Sequence, residues 1–216
     1  EKLMKFYYHS FRTDKELQVI TASQTLKRLY TEWVDFSNCL PFDIHSSIFI
    51  RWSIESEENN FLKLLIIPSL TTPYGGGCYE FDMYIPNEYP NVSPKMKFVT
   101  TGNGRVRFNP NLYNNGKICL SLLGTWTGEK WESKISNIYQ LCVSILGLIF
   151  VEEPYFNEPG YQNDKGSQVG IDKSAKYNES IRLYNLQYAI LDMLKNPPIE
   201  IKEVINKYYQ LRWNTI

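Results

Sequence analysis

The sequence predicts an α+β fold, and three observations predict it. Four β-rich segments fall together between positions 47 and 99, joined by short turns. Apolar residues recur at helical spacing before them and again from position 135 onward. Strands and helices do not alternate as in a βαβ chain, and grouped strands with helices at both ends argue for α+β.

Residues 1–18 have no period and read as a lead-in. Leu26, Leu29, Tyr30, Trp33 and Phe36 return every three or four positions, marking one face of a helix that Pro41 ends. Residues 47–54 and 61–67 are rich in β-formers, and residues 57–60 make the turn between them. Residues 78–85 and 95–99 alternate, which completes a four-stranded antiparallel meander. Residues 100–134 show no convincing period and are rich in Gly and Asn. An irregular stretch of that length inside a compact domain tends to be functional. Ile135, Ile138, Cys142, Ile145 and Ile149 mark a second helix. Residues 163–174 read as a polar surface loop. Tyr177, Ile181, Tyr184, Tyr188 and Leu191 mark a third helix, stopped by Asn196, Pro197 and Pro198. Ile201, Val204, Ile205, Tyr208 and Leu211 mark a fourth. The chain divides into a lead-in (1–18), a core (19–165) and a C-terminal helical extension (166–216) packed on the core.

Composition narrows the function. With 216 residues, 43% of them hydrophobic and 15% aromatic, the chain can bury a core without disulfides or metal. The formal net charge is zero, without the basic excess of a nucleic-acid binder. The greasiest stretch, 141–151, is about half the ~20 residues of a membrane span. Its charged and aromatic opening does not read as a secretory signal. Starting without Met, the sequence reads as a piece of something longer or a trimmed product.

Cys39, Cys78, Cys119 and Cys142 are dispersed, with no close pair, and the histidines are only His9 and His45. That spacing speaks against a zinc site and for reduced thiols. The expected location is therefore cytoplasmic, with the nucleus as an alternative. Gly75, Gly76 and Gly77 lack the Lys-Ser/Thr of a phosphate loop and read as a tight turn. Glu55, Glu57 and Glu58 read as a solvated turn, and Asp14 and Glu16 carry no signal. Cys78 and Cys142 read as buried structural thiols. Cys119 differs because it sits in the irregular stretch, where a nucleophile would be placed. No histidine is close to it in sequence, so a cysteine-hydrolase reading is weak.

Residues 108–120 (FNPNLYNNGKICL) resemble the active-site segment of ubiquitin-conjugating enzymes. In that family an Asn precedes the catalytic Cys by eight positions, as Asn111 precedes Cys119. The run 73–77 (PYGGG), the pair Tyr89 and Pro90 with Pro94, and Trp131 also match, and together they cover about residues 20–162. The runs 121–126 (SLLGTW) and 153–161 (EPYFNEPGY), with a similar helical tail, are closest to the branch of large hybrid conjugating enzyme/ligases and BRUCE-like proteins.

The resemblance implies a ubiquitin-conjugating (UBC) fold and an acyltransferase. Cys119 would take ubiquitin as a thioester from an activating enzyme and pass it to a lysine of a target protein. ATP is used upstream, so no cofactor or metal is implied. Asn111 would steady the oxyanion or hold the loop that does. Glu158 would be the acidic gate that orients the lysine and favours loss of its proton. Tyr113 matches a Tyr that orients the lysine in the SUMO-conjugating enzyme. The usual His of the segment is Asn109. Asn91 and Lys134 stand where many members dock ligases, which implies weak docking of ordinary RING or HECT ligases. A non-catalytic ubiquitin-binding scaffold, and conjugation of a different modifier, are the alternatives. Nucleic acid and membrane are not implied as partners.

Overall fold

The computed structural model describes residues 6, 8–12, 19–41, 43, 46–52 and 58–214. Glu55, Glu57, Asp14, Glu16, His45, the last two residues of the expected first strand and most of the lead-in lie outside the described residues. α1 (Ser23–Cys39) is followed by β1 (Ser47–Trp52), β2 (Phe61–Ile67), β3 (Tyr79–Tyr84) and β4 (Lys95–Phe98). The strands form one antiparallel sheet in the order β1-β2-β3-β4, the expected meander. After the irregular stretch come α2 (Ile138–Leu148), α3 (Gln168–Tyr184), a π-helical stretch Asn185–Leu191, α4 (Asp192–Lys195) and α5 (Lys202–Arg212). No described helix is long and apolar enough to cross a membrane.

On one face of the sheet Leu62, Leu64 and Ile66 of β2 lie opposite Met83, Phe81 and Tyr79 of β3. They share a core with Leu29 and Phe36 of α1 and Leu141, Cys142 and Ile145 of α2. The alternation of β3 predicts one buried face, yet all six of its residues are buried. On the other face Asp82 meets His9 and Ser10, Tyr84 meets Phe11, and a second layer covers the neighbouring residues. Leu65, Ile67 and Cys78 pack with Ile190, Met193, Ile201, Ile205 and Tyr209 of the C-terminal helices. Burying a Leu or Ile side chain is worth roughly 1.5–3 kcal/mol. The C-terminal helices are thus fixed to the sheet by a core of their own.

Between the layers lies a charged cluster. Buried Lys63 pairs with Glu80 and, at 2.8 Å, with Asp82. The Ser10 N–H donates to Asp82 at 2.7 Å, and His9 Nε2 lies 3.1 Å from the Leu62 carbonyl oxygen. Burial holds the Glu80 carboxyl up at about 7, offset only in part by Lys63. Glu58, read as solvated, instead pairs with Arg12 and accepts from the Phe6 N–H.

Other expectations need correction, beginning with Leu191 and Leu211, which are 41% and 66% exposed. Tyr30 and Trp33 are 45% and 36% exposed. The buried stripe of α1 runs through Thr25, Leu29, Glu32 and Phe36 instead. Its two polar members are hydrogen-bonded: Thr25 Oγ1 donates to the Tyr89 carbonyl at 2.7 Å, and Glu32 accepts from Tyr89 Oη at 2.6 Å and the Ile138 N–H at 3.0 Å. Ile135 is exposed, because the Asn137 side chain caps α2 by accepting from the Gln140 N–H at 2.7 Å. Residues 163–174 are not all loop. Ser167 Oγ accepts from the Gly170 N–H at 3.0 Å and starts α3. The third helix is also interrupted by its π-helical stretch, in which the Ala189 carbonyl accepts from the Cys78 N–H and Tyr209 Oη, both at 2.9 Å.

Candidate active site

The irregular stretch is organised by buried anchors. Phe108, Asn109 and Leu112 are fully buried, and Ile118 nearly so. Asn109 is the hub. Its Nδ2 donates to Tyr74 Oη at 3.0 Å and to the Ile149 carbonyl at 2.8 Å, and its Oδ1 accepts from the Asn111 N–H at 2.8 Å. Tyr74 Oη in turn donates to the Phe108 carbonyl at 3.0 Å. Burial raises the Tyr74 hydroxyl well above its ordinary range, so it remains a donor. The glycine turn after Tyr74 therefore serves as a buttress for the segment. A Cβ on Gly77 would lie 2.0 Å from Asn185 Oδ1.

From Leu112 the chain folds back on itself. Leu112 bridges Ile118, the Tyr113 N–H donates to the Lys117 carbonyl at 2.9 Å, and Gly116 makes the bend at φ 88°. This places Cys119 beside Asn111. The Cys119 N–H donates to the Asn111 carbonyl at 2.9 Å, and Asn111 Nδ2 donates to the Cys119 carbonyl at 2.8 Å. Thr125 holds the far side: its Oγ1 accepts from the Leu120 N–H at 2.9 Å and donates to the Ile118 carbonyl at 2.6 Å. Cys119 is only 3% exposed, more enclosed than a surface-loop thiol.

The other two candidates meet through a residue that sequence reasoning missed. Arg107 places its guanidinium carbon 4.3 Å from the centroid of the Tyr113 ring. Its Nη2 donates to the Pro110 carbonyl at 2.6 Å and lies 3.3 Å from Glu158 Oε2. Glu158 follows the turn Pro154–Asn157, which is pinned because Asn157 Nδ2 donates to the Leu148 carbonyl at 3.0 Å. Beside Arg107 and Glu158 is a cavity of about 430 Å³, walled by Tyr155, Tyr161, Tyr177 and Tyr184. Among the described residues, no hydrogen bond joins Tyr113 or Glu158 to Cys119. The structure thus gives two pairings, Asn111 with Cys119 and Tyr113 with Glu158 through Arg107. Thr125 was also missed. Arg107 precedes one of the recognised runs and Glu158 lies inside another, but only the fold could pair them.

Cys78 and Cys142 are fully buried, and burial pushes both thiols up to about 12. Neither is fit to be a nucleophile. His9 packs on Phe61 with ring centroids 4.5 Å apart and faces the Leu62 carbonyl and Asp82, and among the described residues no hydrogen bond joins it to Cys119.

A family model for ubiquitin-conjugating enzymes matches residues 39–185, a span that contains Asn111, Tyr113, Cys119 and Glu158. The human dual E2 ubiquitin-conjugating enzyme/E3 ubiquitin-protein ligase BIRC6 is 42% identical over 211 residues, which is 96% of this chain and 4% of that protein. The probable ubiquitin-conjugating enzyme protein 17 of Caenorhabditis elegans is 46% identical over 193 residues, 88% of this chain and 26% of its relative. The probable ubiquitin-conjugating enzyme E2 R521 of Acanthamoeba polyphaga mimivirus is 39% identical over 202 residues, 92% of this chain and 14% of that protein. The chain spans about a quarter or less of these three relatives. A match across most of its length and identities near 40% leave one conclusion: the chain belongs to the ubiquitin-conjugating enzyme family.

Proposed function

We propose that this chain accepts ubiquitin as a thioester on Cys119 and transfers it to a lysine of a target protein. The observation that carries the reading is the double hydrogen bond between Asn111 and Cys119, inside the span that matches the family.

In loading, the Cys119 thiolate attacks the thioester carbonyl carbon of ubiquitin on an activating enzyme. A C–S bond forms to Cys119, the C–S bond to the activating enzyme breaks, and that cysteine leaves as thiolate. In transfer, the lysine nitrogen attacks the new thioester. The C–N bond forms, the C–S bond to Cys119 breaks, and the amine proton passes to solvent by way of the Glu158 carboxylate. The acyl group arrives activated at the expense of ATP upstream, so the chain needs no cofactor or metal of its own.

The engaged Asn111 amide favours its loop-holding role over direct contact with the oxyanion. Glu158 acts as acceptor of the amine N–H, and Tyr113 orients the amine. The 3% exposure of Cys119 favours an acyl group delivered on a slender chain end. Ubiquitin, its activating enzyme and target proteins are the partners on this reading. The chain would act as the conjugating part of a longer hybrid enzyme in the cytoplasm or nucleus. Exposed Asn91 and Lys134 argue for little use of ordinary RING or HECT ligases.

The test is incubation with activating enzyme, ATP and ubiquitin. A thiol-sensitive adduct is expected, lost in Cys119→Ala. Absence of the adduct, with ubiquitin still titrating by NMR, would establish a non-catalytic scaffold instead.

A further inference from the structure

We propose that Arg107 is an internal placeholder for the acceptor amine: in the resting protein its guanidinium occupies the place that the target's lysine ammonium takes before transfer. The inference rests on the transfer reading above.

The two side chains assigned to the incoming lysine are both engaged by Arg107, and Lys117 Nζ also lies 5.6 Å from the Tyr113 ring centroid. Arg107 lies 4.3 Å over Tyr113 and 3.3 Å from Glu158. A lysine ammonium seeks the same partners, a carboxylate and an aromatic face. The acceptor must therefore compete with Arg107 for Glu158.

The pair is built to give way. Arg107 and Glu158 side chains are 40% and 37% exposed, and an ion pair in that setting is weak. The Pro110 carbonyl, at 2.6 Å, tethers the guanidinium as it pivots off Glu158. The adjoining cavity of about 430 Å³ offers it the rings of Tyr155, Tyr177 and Tyr184. Exchange then replaces one cation by another at Glu158 and leaves no carboxylate unpaired. It also selects for an acceptor that carries a cationic amine.

The experiment is single-turnover discharge of the ubiquitin-charged chain against a series of free-lysine concentrations. Wild type, Arg107→Gln, Glu158→Gln and the double variant are compared. Arg107→Gln is expected to lower the half-saturating lysine concentration about two- to fivefold, the range an exposed ion pair supplies. The fall should vanish in the Glu158→Gln background. It should also vanish when hydroxylamine, uncharged at neutral pH, replaces lysine. An unchanged or higher half-saturation in Arg107→Gln, or the same fall with hydroxylamine, overturns the proposal.

A second measurement needs neither a variant nor an adduct. In the uncharged wild-type chain, the Arg107 Nε–H resonance should move on titration with lysine and stay still with norleucine. A resonance indifferent to both overturns the proposal. If Cys119 forms no adduct, the transfer reading fails; if it loads and discharges without these responses, only the role of Arg107 fails.

Discussion

Asn111 and Cys119, eight positions apart, hold each other at the two ends of a fold-back. The Cys119 N–H donates to the Asn111 carbonyl at 2.9 Å, and the Asn111 side-chain amide returns a bond of 2.8 Å to the Cys119 carbonyl. The side chain thus acts on the backbone that carries the sulfur. Removing it loosens that backbone before any chemistry occurs.

Asn111→Ala is therefore expected to destabilise the fold as well as slow the enzyme. Losing one hydrogen bond to an enclosed carbonyl costs about 0.5–1.5 kcal/mol. Loading and discharge should slow together, because both need the sulfur in place. Thermal melts alongside single-turnover rates check this. An unchanged melt with discharge alone slowed would return Asn111 to direct contact with the oxyanion.

Asn109 makes a stronger case. It is fully buried, and its amide satisfies the Ile149 carbonyl, Tyr74 Oη and the Asn111 N–H. Each buried group left without a partner costs about 1–3 kcal/mol. Asn109→Ala should lose on the order of 2–4 kcal/mol in denaturant melts. Asn109→Asp, which keeps the acceptor for Asn111 but loses both donors, should also be destabilised. A variant as stable as wild type would mean that water replaces these bonds.

What the sequence revealed depended on how local the signal was. Asn111 and Cys119 lie in one short run, so their spacing was readable and the fold-back brings them together. Arg107 and Glu158 are 51 positions apart, one just before the active-site run and the other inside a later one, so their pairing exists only in the folded chain. The helical-period reading counts apolar residues and so overlooked Thr25 and Glu32, which replace Tyr30 and Trp33 in the buried stripe because their polar atoms are satisfied. The four strands were legible from their β-formers. That the second face of β3 is buried was not, because its partners, His9 and Ser10 on Asp82 and Phe11 on Tyr84, come from the aperiodic lead-in more than 70 positions earlier. Ser167 was legible in principle: a polar residue before a weakly apolar helix is as much a cap as a loop.

Gly77 joins the glycine turn to the π-helical stretch. Asn185 Oδ1 accepts from Tyr79 Oη at 2.6 Å, and Asn185 Nδ2 donates to the Gly75 carbonyl at 2.8 Å. A Cβ at Gly77 would meet Asn185 Oδ1 at 2.0 Å and Tyr79 Cε2 at 2.7 Å. Gly77→Ala should cost roughly 1–3 kcal/mol, as overpacking does. Its effect should be regional, with faster amide exchange in residues 185–212 than in β2. Protection unchanged in that region would show that the helices are held by the apolar layer alone.

The buried Glu80 sets a dependence on pH. Burial, only partly countered by Lys63, raises its carboxyl from 4.5 to about 7 in the folded chain. A raised folded value means that the fold favours the protonated form. That contribution is fully present below about 4.5 and is lost as pH rises through about 7. His9 works the other way. Burial lowers its folded value below 6.5, so its contribution is present above 6.5 and lost as pH falls through the folded value. Glu80→Gln removes the first effect and keeps the second. Asp82 remains beside Lys63 at 2.8 Å, so the variant leaves the ammonium paired. As pH rises from about 4.5 to about 7, wild type should lose stability relative to Glu80→Gln by on the order of 1–3 kcal/mol. Denaturant melts of both proteins across that window give the difference directly. A difference that stays flat, or grows in favour of wild type as pH rises, would mean that Lys63 outweighs burial and that Glu80 is already ionised at the low end.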